Sequence, residues 1–137
     1  MNKTSVEVFT IENSLSKITF REDNILHIHY LTDELTLEQS KEILKFTREN
    51  CPWEISPVLI TGGDFMNQNK ESREYNGSED VIKYCSAIAF ISETLAKKIL
   101  ANFFISLFKE KVPMRFFSNQ DDAIKWLSQF PTKQKSK

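Results

Sequence analysis

Two short runs constrain what this chain can fold into more than any other feature: Pro57-Val58-Leu59-Ile60-Thr61 and Ala87-Ile88-Ala89-Phe90-Ile91. Neither alternates. A strand with one face in water shows a polar residue at every second position, whereas an unbroken apolar run of this length suits a strand covered on both faces. The segments between these runs have helical character, so a central sheet with helices packed on it is the natural architecture. Pro113 opens a further strand, Met114-Arg115-Phe116-Phe117.

The N-terminal part reads differently. Val6 to Ile11 is rich in strand formers, Ser16 to Arg21 alternates, and Ile25 to Leu31 alternates again. Glu22-Asp23-Asn24 lies between the last two. A two-residue loop would set Phe20 opposite His27 and mix the faces. A three-residue loop sets Phe20 opposite Leu26 and Ile18 opposite Ile28, so the faces agree, with Asn24 closing the turn in the left-handed conformation. That register buries Ile18, Phe20, Leu26 and Ile28 and turns His27 and His29 to solvent.

Helix signals fill the rest. Thr36 with Gln39 three residues on forms a capping box, Glu38 suits the positive helix end, and Pro52 stops the helix. Its buried side is expected to comprise Leu37, Ile43, Leu44, Thr47 and Cys51. A short helix through Glu71 to Tyr75 should break at Asn76-Gly77, and Ser78 should cap a second piece. Ser92 should cap the longest helix, reaching about Lys111. Ser118 or Asn119 caps the last one, with Asp121 and Asp122 in its first turn and Ala123, Ile124, Leu127 and Phe130 buried.

The order β-β-β-α-β-α-β-α-β-α defines an α/β class: a mostly parallel central sheet of about five to six strands, an N-terminal antiparallel hairpin and about four helices. Residues 1–131 read as one domain and 132–137 as a disordered basic tail. A chain of 137 residues has enough material for a core without staples. With 40% hydrophobic and 27% charged residues and a net charge of −1, it has no field of one sign to steer nucleic acid. No apolar stretch nears the roughly 18 residues of a membrane span. Met1-Asn2-Lys3-Thr4-Ser5 leads into alternation rather than a signal run, and Cys51 and Cys85 lack CxxC spacing. These features place the chain in the cytoplasm with reduced thiols.

The order and spacing of several segments resemble the STAS superfamily, and more closely its divergent bacterial branch of small stand-alone STAS/SEC14-like domains. The segments are Asn24 to Tyr30, Leu35 to Glu42, Pro57 to Ile60, Ser72 to Tyr75, Ala87 to Phe90, Asn102-Phe103-Phe104, Val112 to Phe117 and Asp122 to Leu127. The resemblance implies a STAS-like fold. Anti-anti-sigma members of that superfamily carry an Asp-Ser-Ser-Gly-like phosphorylation site at the helix after the central strand. Here that region reads Asn67-Gln68-Asn69-Lys70-Glu71-Ser72, so the signature is missing and Ser72 is not expected to be a switch. The SEC14 side of the likeness implies a pocket for a lipid or another apolar molecule.

In a parallel sheet, ligands gather beyond the carboxyl ends of the strands. That rim collects Thr32, Asp33, Gly62, Gly63, Asp64, Ser92, Glu93, Ser118 and Asn119, residue types that capping and strand exit also require. His27 and His29 share a strand face roughly 6–7 Å apart, half of a metal site with no third ligand placed by sequence. No phosphate loop and no nucleophile elbow is present. No cofactor, metal or enzymatic activity is expected. On the long helix, Leu95, Ile99, Phe103 and Leu107 form one stripe, and Leu100, Phe104 and Phe108 another beside it. Together they span a wider arc than the roughly 100° of a surface helix. Phe104 and Phe108 are the candidates for a contact or pocket wall. Two functions stay open: a non-enzymatic regulatory or protein-interaction module, as a homodimer or with a protein partner, and a carrier or sensor of a small apolar or lipid-like ligand.

Overall fold

The computed structural model describes residues 9–32, 35–62, 70–91, 99 and 112–135. In chain order the elements are β1 (Phe9–Glu12), β2 (Ser16–Phe20), β3 (Leu26–Tyr30), α1 (Leu37–Asn50), β4 (Trp53–Gly62), α2 (Lys70–Asn76), α3 (Glu79–Ile82), β5 (Cys85–Ile91), β6 (Met114–Phe117), α4 (Gln120–Leu127) and β7 (Lys133–Gln134). The main sheet runs β1-β2-β3-β4-β5-β6. The first three strands are antiparallel and β3 through β6 are parallel.

Each parallel strand adds beside the one before it. Right-handed crossovers that always step the same way place their helices on the same face. One core cluster accordingly joins Ile18, Phe20, Leu26, Val58, Ile88, Phe90, Met114 and Phe116 with Ile82 of α3 and Cys51 behind α1. The opposite face is covered by α4. There Ala87 and Ala89 meet Ala123 and Leu127, together with Ile25, Leu59 and Phe117. Alanines on both sides let that helix lie close to the sheet, while the first face carries large side chains.

The hairpin has the three-residue loop. Phe20 pairs with Leu26 and Ile18 with Ile28. The Arg21 amide donates to the Ile25 carbonyl at 3.1 Å and the Asn24 amide to the Arg21 carbonyl at 3.0 Å. Asn24 has φ 66°. The preceding turn is closed by Asn13, whose Oδ1 accepts from the Leu15 and Ser16 amides and the Ser16 hydroxyl.

The capping box of α1 forms in both directions, Gln39 amide to Thr36 Oγ1 at 3.2 Å and Thr36 amide to Gln39 Oε1 at 3.1 Å. Its buried residues are Ser40, Ile43 and Thr47, whereas Leu37 and Leu44 are only half-buried. Ser78 stands at the α3 N-cap without capping; its hydroxyl donates back to the Tyr75 carbonyl at 2.6 Å. Asn119, not Ser118, caps α4, with Oδ1 accepting from the Asp122 amide at 2.8 Å.

Two elements differ from the sequence reading. The central strand β4 starts at Trp53, four residues before the apolar run. Its neighbours β3 and β5 reach it only from Ser56 onward, so the backbone of Trp53 to Ile55 needs another partner. The C-terminal segment meets that need. Instead of a disordered tail from 132, Lys133 and Gln134 pair antiparallel with Ile55 and Trp53, and the Thr132 hydroxyl donates to the Asn24 carbonyl at 3.0 Å.

The turn supplies a test of the hairpin. Asn24→Ile forces a β-branched residue into the left-handed region, at an expected cost of roughly 1–2 kcal/mol. Asn24→Gly should stay within a few tenths of a kcal/mol of the native protein. Equal urea midpoints for all three would remove the left-handed residue from the account.

Candidate functional site: an apolar cavity beside a histidine-threonine node

Between the large-residue face of the sheet and the helices lies a cavity of about 100 Å³. The sheet contributes Leu26, Ile28, Val58, Ile60, Ile88, Phe90 and Met114, and the helices contribute Ile43, Leu44, Thr47 and Val81. Its origin is visible in α1. Two of the three buried side chains of that helix, Ser40 and Thr47, are small hydroxyl residues at positions where a leucine would reach the sheet. Thr47 turns its hydroxyl onto its own helix, donating to the Ile43 carbonyl at 2.7 Å. Ser40 bonds sideways to Ser72 of α2 at 2.5 Å and accepts from Asn76 Nδ2 at 3.4 Å. The helix therefore satisfies its polar groups laterally and presents short side chains to the cavity.

The remaining wall is polar in a specific way. Burial pushes the Tyr30 hydroxyl up to about 12, with Cys85 adding to the rise. Burial also pushes the Cys85 thiol up to about 12, against a downward pull from Arg48. Both are neutral at ordinary pH. Arg48 donates from Nη2 to the Trp53 carbonyl at 3.0 Å and from Nη1 to the Glu54 carbonyl at 3.4 Å. Its guanidinium lies 4.2 Å over the Tyr84 ring.

A second cluster sits on the opposite face, at the carboxyl end of β3 and β4. His27 Nε2 and His29 Nδ1 converge on Thr61 Oγ1 at 2.7 and 2.8 Å. The histidines are thus not turned to solvent; both are half-buried. The expected alternation holds, but the face opposite the main core is itself a packed face, closed by α4 and its own apolar cluster. One hydroxyl donates a single proton, so Thr61 donates to one imidazole and accepts from the other. Gly62, φ +74°, makes this approach feasible. A Cβ there would stand 2.4 Å from the Tyr30 carbonyl oxygen and under 3 Å from two atoms of the His29 ring, 2.8 and 2.9 Å. No group of three or more metal-ligating side chains occurs among the described residues.

Of the rim residues, Gly62 has this structural duty. Gly63, Asp64, Ser92, Phe104 and Phe108 lie outside the described residues, as do Asp33 and Glu93. Ile99 of the expected Phe-rich helix is in helical backbone and 61% exposed. Ser72 is fully buried and tied to Ser40. Among the described residues, the helical part of the cavity wall comes from α1, α2 and α3, and the expected wall residues Phe104 and Phe108 lie outside the described residues. The signal that could have found the cavity is the small hydroxyl pair Ser40 and Thr47 on the buried stripe of an otherwise well-formed helix.

Comparison with known proteins is consistent with this architecture. Residues 18–131 match a family model described as a domain of unknown function, DUF7793. No curated protein matches the chain. Among solved structures, it is similar to the crystal structure of an uncharacterised protein of the DUF3478 family with a SpoIIAA-like fold from Shewanella loihica. That chain is 13% identical, with a TM-score of 0.58 over 93% of this chain and 99% of the other. At that identity the likeness is one of fold. No helix among the described residues is long and apolar enough to cross a membrane.

The node yields a pH dependence. Burial first, then the positive potentials of His29, Arg21 and Lys17, lower His27 from 6.5 to about 4. A base with a depressed folded pKa lets the unfolded chain bind the proton first. The stability from neutral His27 is therefore complete above about pH 6.5 and lost as pH falls to about 4. Urea midpoints should decline between pH 7 and 4.5, and His27→Gln should flatten part of that decline. An unaltered slope in the variant would assign the decline to other groups.

Proposed function

Because this chain belongs to the DUF7793 family and has a SpoIIAA-like fold, we propose that it is a non-catalytic module whose cavity binds a small apolar molecule, as a carrier or sensor. The observation that carries the reading is the cavity of about 100 Å³, walled mainly by Ile, Leu, Val, Phe and Met side chains. An engineered apolar void of about 150 Å³ stays dry and takes up benzene. A space of this order suits one ring or a short aliphatic chain, smaller than a whole phospholipid.

A protein-interaction role, with a second copy or another protein, is the other reading. It is favoured by Ile99, 61% exposed, and Leu31, 44% exposed, since large apolar side chains in water are a common mark of contact surfaces. The two roles are compatible in a sensor that reports occupancy through its surface.

The cavity reading is tested by filling the space. Ile60 lines the cavity and is half-buried on β4. Ile60→Phe would place a ring in an empty cavity with little loss of stability, whereas in a filled core overpacking costs typically 1–3 kcal/mol. The native protein should bind 2-phenylethanol in NMR titrations with shifts at Ile43, Ile60 and Ile88 methyls, and Ile60→Phe should abolish those shifts. Ring binding that persists in the filled variant would place the site elsewhere. Mass spectrometry of a denaturing extract of fresh protein checks for a co-purified apolar molecule.

A further inference from the structure

We propose that the ligand of the cavity carries a carboxylate, and that Arg48 is the residue that anchors it. The inference rests on the cavity being a ligand site and adds the chemistry of the ligand's head group. Among the described residues lining the cavity, Arg48 is the sole permanent charge; no Asp or Glu stands on the wall. Tyr30 and Cys85 are both held neutral by burial. An ammonium entering this space would meet only a like charge, and a neutral molecule would leave the guanidinium without a counter-ion.

Arg48 is also poised for an added acceptor. A guanidinium has five N–H donors. Two donate to the carbonyls of Trp53 and Glu54, which fix the group from behind, and the Tyr84 ring supports its flat face. Nε is buried and has no hydrogen-bond partner. No carboxylate forms an ion pair with Arg48 among the described residues; the ion pair present there is Arg21 with Asp23, at the exposed hairpin turn. Its charge reaches the cavity wall, since it opposes the burial-driven rise of the Cys85 thiol. A carboxylate accepting from the terminal guanidinium N–H groups that the two carbonyls do not engage would supply the missing counter-charge.

Three probes of nearly one shape separate head-group charge from apolar fit: phenylacetate, 2-phenylethanol and 2-phenylethylamine, titrated into the full chain by NMR. Phenylacetate should bind at least roughly fivefold tighter than 2-phenylethanol, the increment of a modest charge-assisted hydrogen bond, and 2-phenylethylamine should bind weakest. In Arg48→Met, 2-phenylethanol should still bind while the preference for phenylacetate disappears. Arg48→Lys, which keeps the charge and the long stem, should retain part of that preference and guards against a methionine variant that fails to fold. If the alcohol binds as tightly as phenylacetate to the native protein, or if the preference survives in Arg48→Met, the anchor is overturned and the apolar cavity stands. If none of the three probes binds, the cavity reading falls and the anchor with it.

Discussion

Everything in this fold depends on β4 and β5 being covered on both faces. Val58, Leu59, Ala87, Ile88 and Ala89 are all buried, and a strand so placed has no solvent side on which to carry polar residues. Full burial of a residue such as Leu59 is worth about 1.5–3 kcal/mol. The sheet can collect that stabilisation on both sides only if helices close both sides. Chain order then decides which helix goes where: among the described elements α1 and α3 pack on one face, and α4, after the last parallel strand, covers the other.

The two faces differ in grain. On the α4 side, Ala87, Ala89 and Ala123 lie fully buried in one apolar cluster, and at the margin of that side His27, Thr61 and His29 close into a hydrogen-bonded node. On the other, large side chains meet α1, whose inward residues are partly small and hydroxylated. The same sheet thus carries small side chains under α4 and a cavity under α1. That difference in side-chain size is what places the cavity on the α1 side of the sheet.

Local chemistry was the most legible part of the sequence. The hairpin register followed from requiring Phe20 and Leu26 to share a face, and Asn24 marked the one left-handed residue outside glycine among the described residues. The capping box at Thr36 and Gln39 was readable because its two bonds lie within four residues. What escaped was non-local. The pairing of Lys133 and Gln134 with β4 uses backbone groups, so no side-chain pattern announces it. The burial of His27 and His29 depends on Thr61, more than thirty positions away, and on the space that Gly62 leaves. Ser40 reads as a surface residue by type, and its burial follows from Ser72 arriving on a separate helix.

An empty cavity carries a thermodynamic cost, and its size bears on why it is there. At about 24 cal/mol per Å³, a void near 100 Å³ would cost at most roughly 2.4 kcal/mol, the limit reached when it is closed and dry. Domains of this kind are stable by only about 5–15 kcal/mol, so the loss is a large share. The remedy would be simple in sequence terms: a leucine at Ser40 or Thr47 would extend α1 toward the sheet. The hydroxyls stand there instead, and the Ser40–Ser72 link draws α2 against α1 while keeping the space beneath clear. A ligand present at a hundred times its dissociation constant would contribute about 2.7 kcal/mol, which is the size of the deficit. Under the proposed reading, binding would offset the cost of such a void, and occupancy would be coupled to stability as a sensor or carrier requires.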